Sequence, residues 1–145
     1  MNEMSSTTPN ETIGIVVCTH SALADGFRQA IEMLMGPQEN FAAIGLYDGD
    51  DIMDLSEKIT RLVESMQTHQ NVIFTDLFGA SPTNAAALAL VDVDAAVIAG
   101  VNLPMLAEIL TLRNQNPDFE NLLDDIVAKG RDNIRIITKN MITEG

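Results

Sequence analysis

The sequence predicts an α/β fold built on a doubly wound, mostly parallel sheet. Short apolar runs alternate along the chain with longer segments in which apolar residues recur at helical spacing. The runs contain almost no polar residues, which is typical of strands buried on both faces of a parallel sheet. The connections between runs and helices are short, as in βαβ units. The 145 residues suffice for one domain, which we place at residues 13–139, between tails at residues 1–12 and 140–145.

The first apolar run, residues 13–18, ends in the polar turn Thr19-His20-Ser21. Ser21 is expected to cap the first helix, whose apolar residues recur at helical spacing from Leu23. His20 is therefore predicted to lie where a buried strand stops and a helix begins. Ligands and reacting groups collect at this edge of open α/β sheets. His20 is accordingly the first candidate for a reactive residue.

The later elements continue the alternation of strand and helix. Further strands are expected at residues 41–46, 72–75 and 95–98. The predicted helices are residues 52–66, residues 82–91, a segment around Leu106 and Leu110, and a segment from Phe119 that Gly130 ends. Ser81 is expected to cap the second of these helices, and Pro82 to open it. A last short strand, Ile134 to Thr138, is expected at an edge of the sheet.

The order of the strands decides which loops meet. Right-handed crossovers and the small number of strands favour the flavodoxin-like order 2-1-3-4. Its switch point lies between strands one and three, where a crevice opens at the carboxyl edge of the sheet. His20 follows strand one, and Asp76 follows strand three. We therefore expect these two side chains to meet.

A histidine and a carboxylate have a chemical use as a pair, although each alone is often an ordinary turn residue. A carboxylate that accepts a hydrogen bond from one imidazole nitrogen fixes the tautomer and leaves the other nitrogen nucleophilic. Helix N-termini after His20 and Gly79 would supply backbone N–H groups that bind anions. Gly79, Ala80 and Ser81 are small enough for an anion to approach the backbone. A small phosphoryl group would fit there.

Composition and missing motifs exclude other functions. The net charge of −13 argues against a nucleic-acid partner and against anionic membranes. No apolar run approaches the roughly 20 residues that a spanning helix requires, so no membrane insertion is expected. The two histidines lie in different settings and the lone Cys18 lies in a strand, so no metal site is predicted. A phospho-aspartate receiver would use Asp76 but needs an acidic pair and a Lys that this pattern lacks. No cofactor is expected.

Three stretches of the chain match a known pattern. The first runs from the strand into Thr19-His20 and continues with Leu23-Ala24-Asp25-Gly26 and Glu32-Met33-Leu34-Met35-Gly36. The second is Asp76-Leu77-Phe78-Gly79-Ala80-Ser81-Pro82-Thr83-Asn84-Ala85-Ala86. The third is Ala99-Gly100-Val101-Asn102-Leu103-Pro104-Met105-Leu106. In this order and spacing, the chain resembles the IIA component of the mannose-family sugar phosphotransferase system, over nearly all of residues 13–138.

The resemblance implies a cytoplasmic phosphocarrier without a cofactor. It takes a phosphoryl group from the phosphohistidine of the carrier HPr and passes it to a IIB domain. By match of motifs, His20 would be phosphorylated at Nε2 and Asp76 would orient its ring through Nδ1. The expected phosphoryl-binding residues are Thr19, Ser21, Gly79, Ala80 and Ser81. The resemblance also implies a homodimer that exchanges the C-terminal edge strand, here residues 134–138.

Two positions depart from the family pattern. Many members have Gly directly after the histidine, where this chain has Ser21, and many have Gly-Gly where this chain has Gly79-Ala80. A serine after the histidine also occurs in the phosphoryl-donor subunit of the dihydroxyacetone kinase system, which is therefore an alternative. A second alternative is a non-catalytic regulatory binding module on the same fold.

Overall fold

A computed structural model describes residues 12–144 of the chain; the predicted N-terminal tail lies outside the described residues except for Thr12. Four strands form the sheet: β1 (Gly14–His20), β2 (Phe41–Leu46), β3 (Asn71–Thr75) and β4 (Ala96–Ala99). Their order is β2-β1-β3-β4, and all the pairings are parallel. The predicted fold class and strand order are confirmed, and the carboxyl ends of β1 and β3 are neighbours.

Helices connect the strands and complete the chain. They are α1 (Leu23–Met35), α2 (Ile52–Met66), α3 (Ser81–Ala89), α4 (Leu103–Leu112), α5 (Phe119–Asp132) and α6 (Lys139–Glu144), with a 3₁₀ turn at Arg113–Gln115. Each of the first four helices follows a strand directly, as the alternation of sequence patterns predicts.

The helices cover both faces of the sheet, because alternate strand residues point to opposite faces. Ile15 and Val17 of β1 pack with α1, α4 and α5 on one face. Val16 and Cys18 pack with α2 and α3 on the other face. Since β1 and β3 are buried on both faces, their central residues, 15–18 and 72–74, are apolar. Polar side chains appear where the strands stop, which places the chemistry at the carboxyl edge.

Three local predictions were wrong. Ser21 does not cap α1; the hydroxyl oxygen of Thr19 accepts the N–H of Ala24 at 2.7 Å instead. Ser81 is the first residue of α3 rather than its cap, and the preceding Ala80 makes no side-chain capping bond. Gly130 lies inside α5, where a β-carbon would collide with Met105. Gly130 allows α5 to pack closely against α4, and α5 continues through it to Asp132.

The predicted C-terminal edge strand is not formed in the single chain. Residues 134–138 have no regular secondary structure, and none of the four described strands pairs with them. The side chains of Ile134, Ile136 and Ile137 are exposed. A strand needs a neighbouring strand for its backbone N–H and C=O groups, and no strand in the described part of the chain pairs with this segment. The exposed helix α6 occupies residues that we expected to be a tail.

A buried arginine joins the elements at the opposite, amino edge of the sheet. Arg113 donates hydrogen bonds to the backbone carbonyls of Ile13 at 3.0 Å and Asn40 at 3.2 Å. It also donates to the carbonyl of Glu39 at 2.6 Å. Burial lowers the pKa of the Arg113 guanidinium. The residue holds the chain that enters β1 against the loop that enters β2.

Candidate active site

His20 is the last residue of β1, and the side chain of Asp76, which follows β3, holds it in place. Its backbone N–H and its ring Nδ1 both face Asp76 Oδ2, at 3.0 and 2.8 Å. The imidazole is 48% exposed, whereas the Asp76 side chain is 13% exposed. The structure thus brings together the two residues that the strand order predicted to meet. The ring projects outward from a carboxylate that lies mostly inside the protein.

The carboxylate of Asp76 is held in its charged form. Burial acts to raise the pKa of Asp76, but hydrogen bonds from the backbone and the ring of His20 outweigh it, and the pKa lies below its usual range. With an ionised acceptor on Nδ1, the ring proton lies on Nδ1 and the lone pair lies on Nε2. The other carboxylate oxygen, Oδ1, is buried and has no hydrogen-bond partner among the described residues.

Thr19 lies behind the site rather than in its exposed part. The side chain is fully buried, and its hydroxyl bonds the carbonyl of His20 at 3.1 Å while accepting the N–H of Ala24. The predicted direct contact between this side chain and a phosphoryl group does not fit that burial. Thr19 instead ties the end of β1 to the first turn of α1.

Ser21 turns the chain sharply after the histidine. Its φ angle is 52°, in the left-handed region that favours glycine, and its N–H donates to the carbonyl of Leu46 in β2 at 2.7 Å. The departure from glycine at this position therefore places an ordinary residue in a strained conformation. The Ser21 side chain is exposed, and its hydroxyl makes no hydrogen bond within residues 12–144.

The loop that follows Asp76 contains the remaining predicted residues. Gly79 has a φ of 84°, which explains the glycine, whereas Ala80 is extended with a φ of −94° and tolerates a side chain. The N–H of Ala80 donates to the carbonyl of Leu77 at 3.2 Å, so this amide is already used. The N–H groups of Gly79 and Ser81 and the Ser81 hydroxyl remain open to an anion, as far as the described residues show.

A buried pair of threonines supports this loop, and the sequence analysis missed it. The Thr83 hydroxyl donates to the carbonyl of Leu77 at 2.7 Å, and it lies 2.7 Å from the Thr75 hydroxyl. Because Thr83 gives its only proton to Leu77, Thr75 must donate to Thr83. The sequence feature that could have revealed this contact is the pair of threonines that flank the loop: Thr75 ends β3, and Thr83 lies in the first turn of α3.

Near the His20–Asp76 pair, the thiol of Cys18 is unreactive and two large apolar side chains are exposed. Burial, and to a lesser degree the charge of Asp76, raises the pKa of the Cys18 thiol to about 12, so the thiol stays neutral. Within residues 12–144, no group of three His, Cys, Asp or Glu side chains could hold a metal. No helix in the same residues is long and apolar enough to cross a membrane. Leu77 and Phe78 expose large apolar side chains beside Asp76, at 60% and 85%.

Comparisons with known proteins find similar sequences and similar folds. The family described as PTS system fructose IIA component (EIIA-man) matches residues 14–127. The mannose-specific EIIAB component of Escherichia coli K12 is 38% identical over 128 residues, which are 87% of this chain and 40% of that protein. The sorbose-specific EIIA component of Lacticaseibacillus casei is 37% identical over 101 residues, or 69% of this chain and 73% of that protein. The chain thus spans about 40% of the length of its mannose-specific relatives.

Solved structures share the fold. The phosphotransferase system component EIIA from Streptococcus agalactiae superposes with a TM-score of 0.78 at 27% identity, covering 86% of this chain and 96% of that one. The mannose/sorbose-specific IIA subunit from Enterococcus faecalis also has a TM-score of 0.78, at 20% identity, which supports the fold alone.

Proposed function

Because the chain belongs to the EIIA-man family of phosphotransferase-system IIA components, we propose that it carries a phosphoryl group on His20. The donor in this proposal is the phosphohistidine of HPr, and the acceptor is a IIB domain that serves sugar uptake. Both partners are cytoplasmic proteins in such a system, so the proposal places the chain in the cytoplasm. The single observation that carries it is the exposed His20 ring with Nδ1 held 2.8 Å from Asp76 Oδ2.

This geometry suits a phosphoryl carrier. The Nε2 lone pair of His20 attacks the phosphorus of the donor, the donor P–N bond breaks, and its electron pair returns to the donor nitrogen. The His20 ring becomes positively charged as the new P–N bond forms, since its Nδ1 proton is retained. Asp76 faces that proton as a preorganised anion, so it stabilises the charge as it develops. Transfer to the acceptor reverses these steps.

The phosphoryl oxygens need donors, and the loop after β3 offers them. The open N–H groups of Gly79 and Ser81 lie at or next to the start of α3, whose N-terminal dipole favours an anion. The hydroxyls of Ser81 and Ser21 can add hydrogen bonds. No lysine or arginine occurs in residues 76–81 or 19–22. Neutral donors would hold the group long enough for transfer without binding it tightly.

The decisive experiment is intact mass at alkaline pH after incubation with phosphoenolpyruvate, enzyme I and HPr. Wild type should gain one phosphoryl group that is lost on acidification, and His20→Ala should gain none. His69→Ala is the matched control, because His69 is exposed on the loop before β3 and should leave the gain intact. A wild type that gains nothing while a known IIA protein is modified would favour the non-catalytic binding module.

The acceptor distinguishes the sugar transporter from the dihydroxyacetone kinase alternative. Purified phosphorylated chain is mixed either with a mannose-family IIB domain or with the nucleotide-binding subunit of a dihydroxyacetone kinase. Loss of the phosphoryl group to the IIB domain alone supports the transporter. Loss to the kinase subunit alone would replace our proposal with the alternative.

We also propose a homodimer in which residues 134–138 pair with a second copy. Ile134, Ile136 and Ile137 are exposed, and the outer edge of β4 has no strand partner among the described residues. An open strand edge complements a mainly apolar segment that is free to extend along it. Sedimentation should give a dimer for wild type and a monomer for Ile136→Asp. Met33→Asp, on the exposed surface of α1, should stay dimeric; a monomeric wild type would contradict the proposal.

A further inference from the structure

We propose that Gly45 is a positioning residue for His20. Gly45 lies in β2, paired in register with Thr19, and has no part in the chemistry itself. Its missing side chain leaves the space into which the backbone of Ser21 folds, and that fold sets the direction of the histidine. The inference rests on the proposed function, because phosphoryl transfer is the activity that the position of His20 serves.

The contact between Gly45 and Ser21 is a backbone contact. A β-carbon at residue 45 would collide with the carbonyl oxygen of Ser21 and would lie 3.1 Å from its carbonyl carbon. It would also lie 3.1 Å from Cε2 of Tyr47. A flexible side chain could move away from an added methyl group, but a carbonyl can move only with its peptide. Any side chain at residue 45 therefore displaces the turn after β1.

Displacement of Ser21 reaches His20 through one peptide unit. The N–H of Ser21 donates to the carbonyl of Leu46 at 2.7 Å, which holds the turn against β2. On the other side, the N–H and the ring of His20 converge on the same oxygen of Asp76. These two hydrogen bonds from His20 to one oxygen form only when the backbone and the ring of His20 have the right orientation. Hydrogen bonds weaken steeply when those angles change.

Other glycines in the chain separate this effect from ordinary packing. At Gly14, near the opposite end of β1, a β-carbon would collide with Asn71 and lie 2.9 Å from the sulfur of Met66. At Gly26, in α1, a β-carbon would meet nothing within 4 Å. Gly14→Ala should therefore destabilise the fold without moving His20, and Gly26→Ala should do neither. These two variants are matched controls for Gly45→Ala.

The test combines nitrogen NMR of the His20 ring with the rate of phosphorylation by phospho-HPr, corrected for the folded fraction. In Gly45→Ala we expect loss of the Nδ1-protonated ring signature and a rate lower by about 10- to 100-fold, since small misplacements of reacting groups have effects of that size. Both controls should keep the wild-type ring signature and rate. Gly45→Ala with an unchanged ring signature and rate would overturn the proposal.

A second change tests the contact itself. Glycine at residue 21 can adopt other backbone angles, so adding Ser21→Gly to Gly45→Ala should let the carbonyl turn away and recover the ring signature of Ser21→Gly alone. No recovery, or a double variant that does not fold, would overturn the proposal. If wild type is not phosphorylated, the proposed function fails, but the ring signature still decides whether Gly45 positions His20.

Discussion

At the scale of single residues, the charge on Asp76 matters as much as its place. Asp76→Asn keeps the size of the side chain but removes the charge. Because the backbone N–H of His20 donates to the atom that also faces Nδ1, the amide oxygen takes that position, and the variant loses the anion that stabilises the charge developing on the ring. We expect the phosphorylation rate by phospho-HPr to fall by about 10²- to 10⁴-fold. Asp92→Asn, an exposed residue remote from His20, is the matched charge control and should keep the rate. An unchanged rate in Asp76→Asn would remove Asp76 from the mechanism.

The same carboxylate predicts a pH dependence of stability. The pKa of Asp76 is lower in the folded chain than its ordinary value of about 3.9. The charged form therefore stabilises the fold at pH values above about 3.9, and this contribution is lost as the pH falls through the folded pKa. Urea unfolding at a series of pH values from 7 to 3 gives the free energy of unfolding of wild type and of Asp76→Asn. Wild type should be the more stable protein at pH 7, and the difference in free energy should shrink only near pH 3. The same difference at pH 7 and pH 3 would contradict the lowered pKa of Asp76.

Ser21 predicts a gain in stability. Its φ of 52° strains any residue that has a β-carbon, so Ser21→Gly should raise the free energy of unfolding by about 0.5–1 kcal/mol. Ser65→Gly makes the same substitution in the last turn of α2, where the serine hydroxyl also donates to the carbonyl of Leu62 at 2.7 Å. There it should lower the free energy of unfolding by about 0.5–1 kcal/mol. Urea titration measures both, and equal effects at the two sites would show that the backbone angle of Ser21 is not strained.

At the scale of elements, periodicity and chain topology were predictable and contacts between elements were not. The apolar runs and the rule for right-handed crossovers predicted the strand order, and with it the meeting of His20 and Asp76. The cap of α1 was missed because Thr19, inside the strand, reaches forward to Ala24. Gly130 resembles a helix end in sequence, and only the approach of Met105 reveals its packing role. The predicted C-terminal strand does not form in the single chain, because a strand exists only with its partner.

Arg113 was missed for a similar reason, since an arginine near the end of a helical pattern usually lies in solvent. Its guanidinium instead bonds three backbone carbonyls that enter β1 and β2. A lysine has a single ammonium and cannot reach all three. Arg113→Lys should lower the free energy of unfolding by about 2–4 kcal/mol, as measured by urea titration. Arg61→Lys, on the exposed face of α2, should change it little, and an equally small change at Arg113 would contradict the bridging role.

At the scale of the whole molecule, the charges are unevenly distributed. The chain has 8 basic and 21 acidic residues, and four of the basic residues lie between positions 129 and 139. Four exposed aspartates follow β2 at its carboxyl end, the edge that carries His20: Asp48, Asp50, Asp51 and Asp54. On the β2 side of His20 an approaching partner therefore meets negative charge, whereas the basic residues begin beyond β4, where Asn102 donates to the carbonyl of Gly130 at 3.1 Å. A donor protein with a positive face is attracted and oriented by this field before contact.

This field predicts that the bimolecular rate of phosphorylation by phospho-HPr falls as salt is added. The screening length shortens from about 10 Å at 0.1 M salt to about 3 Å at 1 M, so steering over longer distances is lost. Asp48→Asn combined with Asp54→Asn should lower the rate at low salt and flatten its salt dependence. Glu64→Gln combined with Glu120→Gln changes the net charge equally on exposed residues near the amino edge, and should leave the slope close to wild type. Equal slopes in all three proteins would mean that apolar contacts such as Phe78, rather than charge, select the donor.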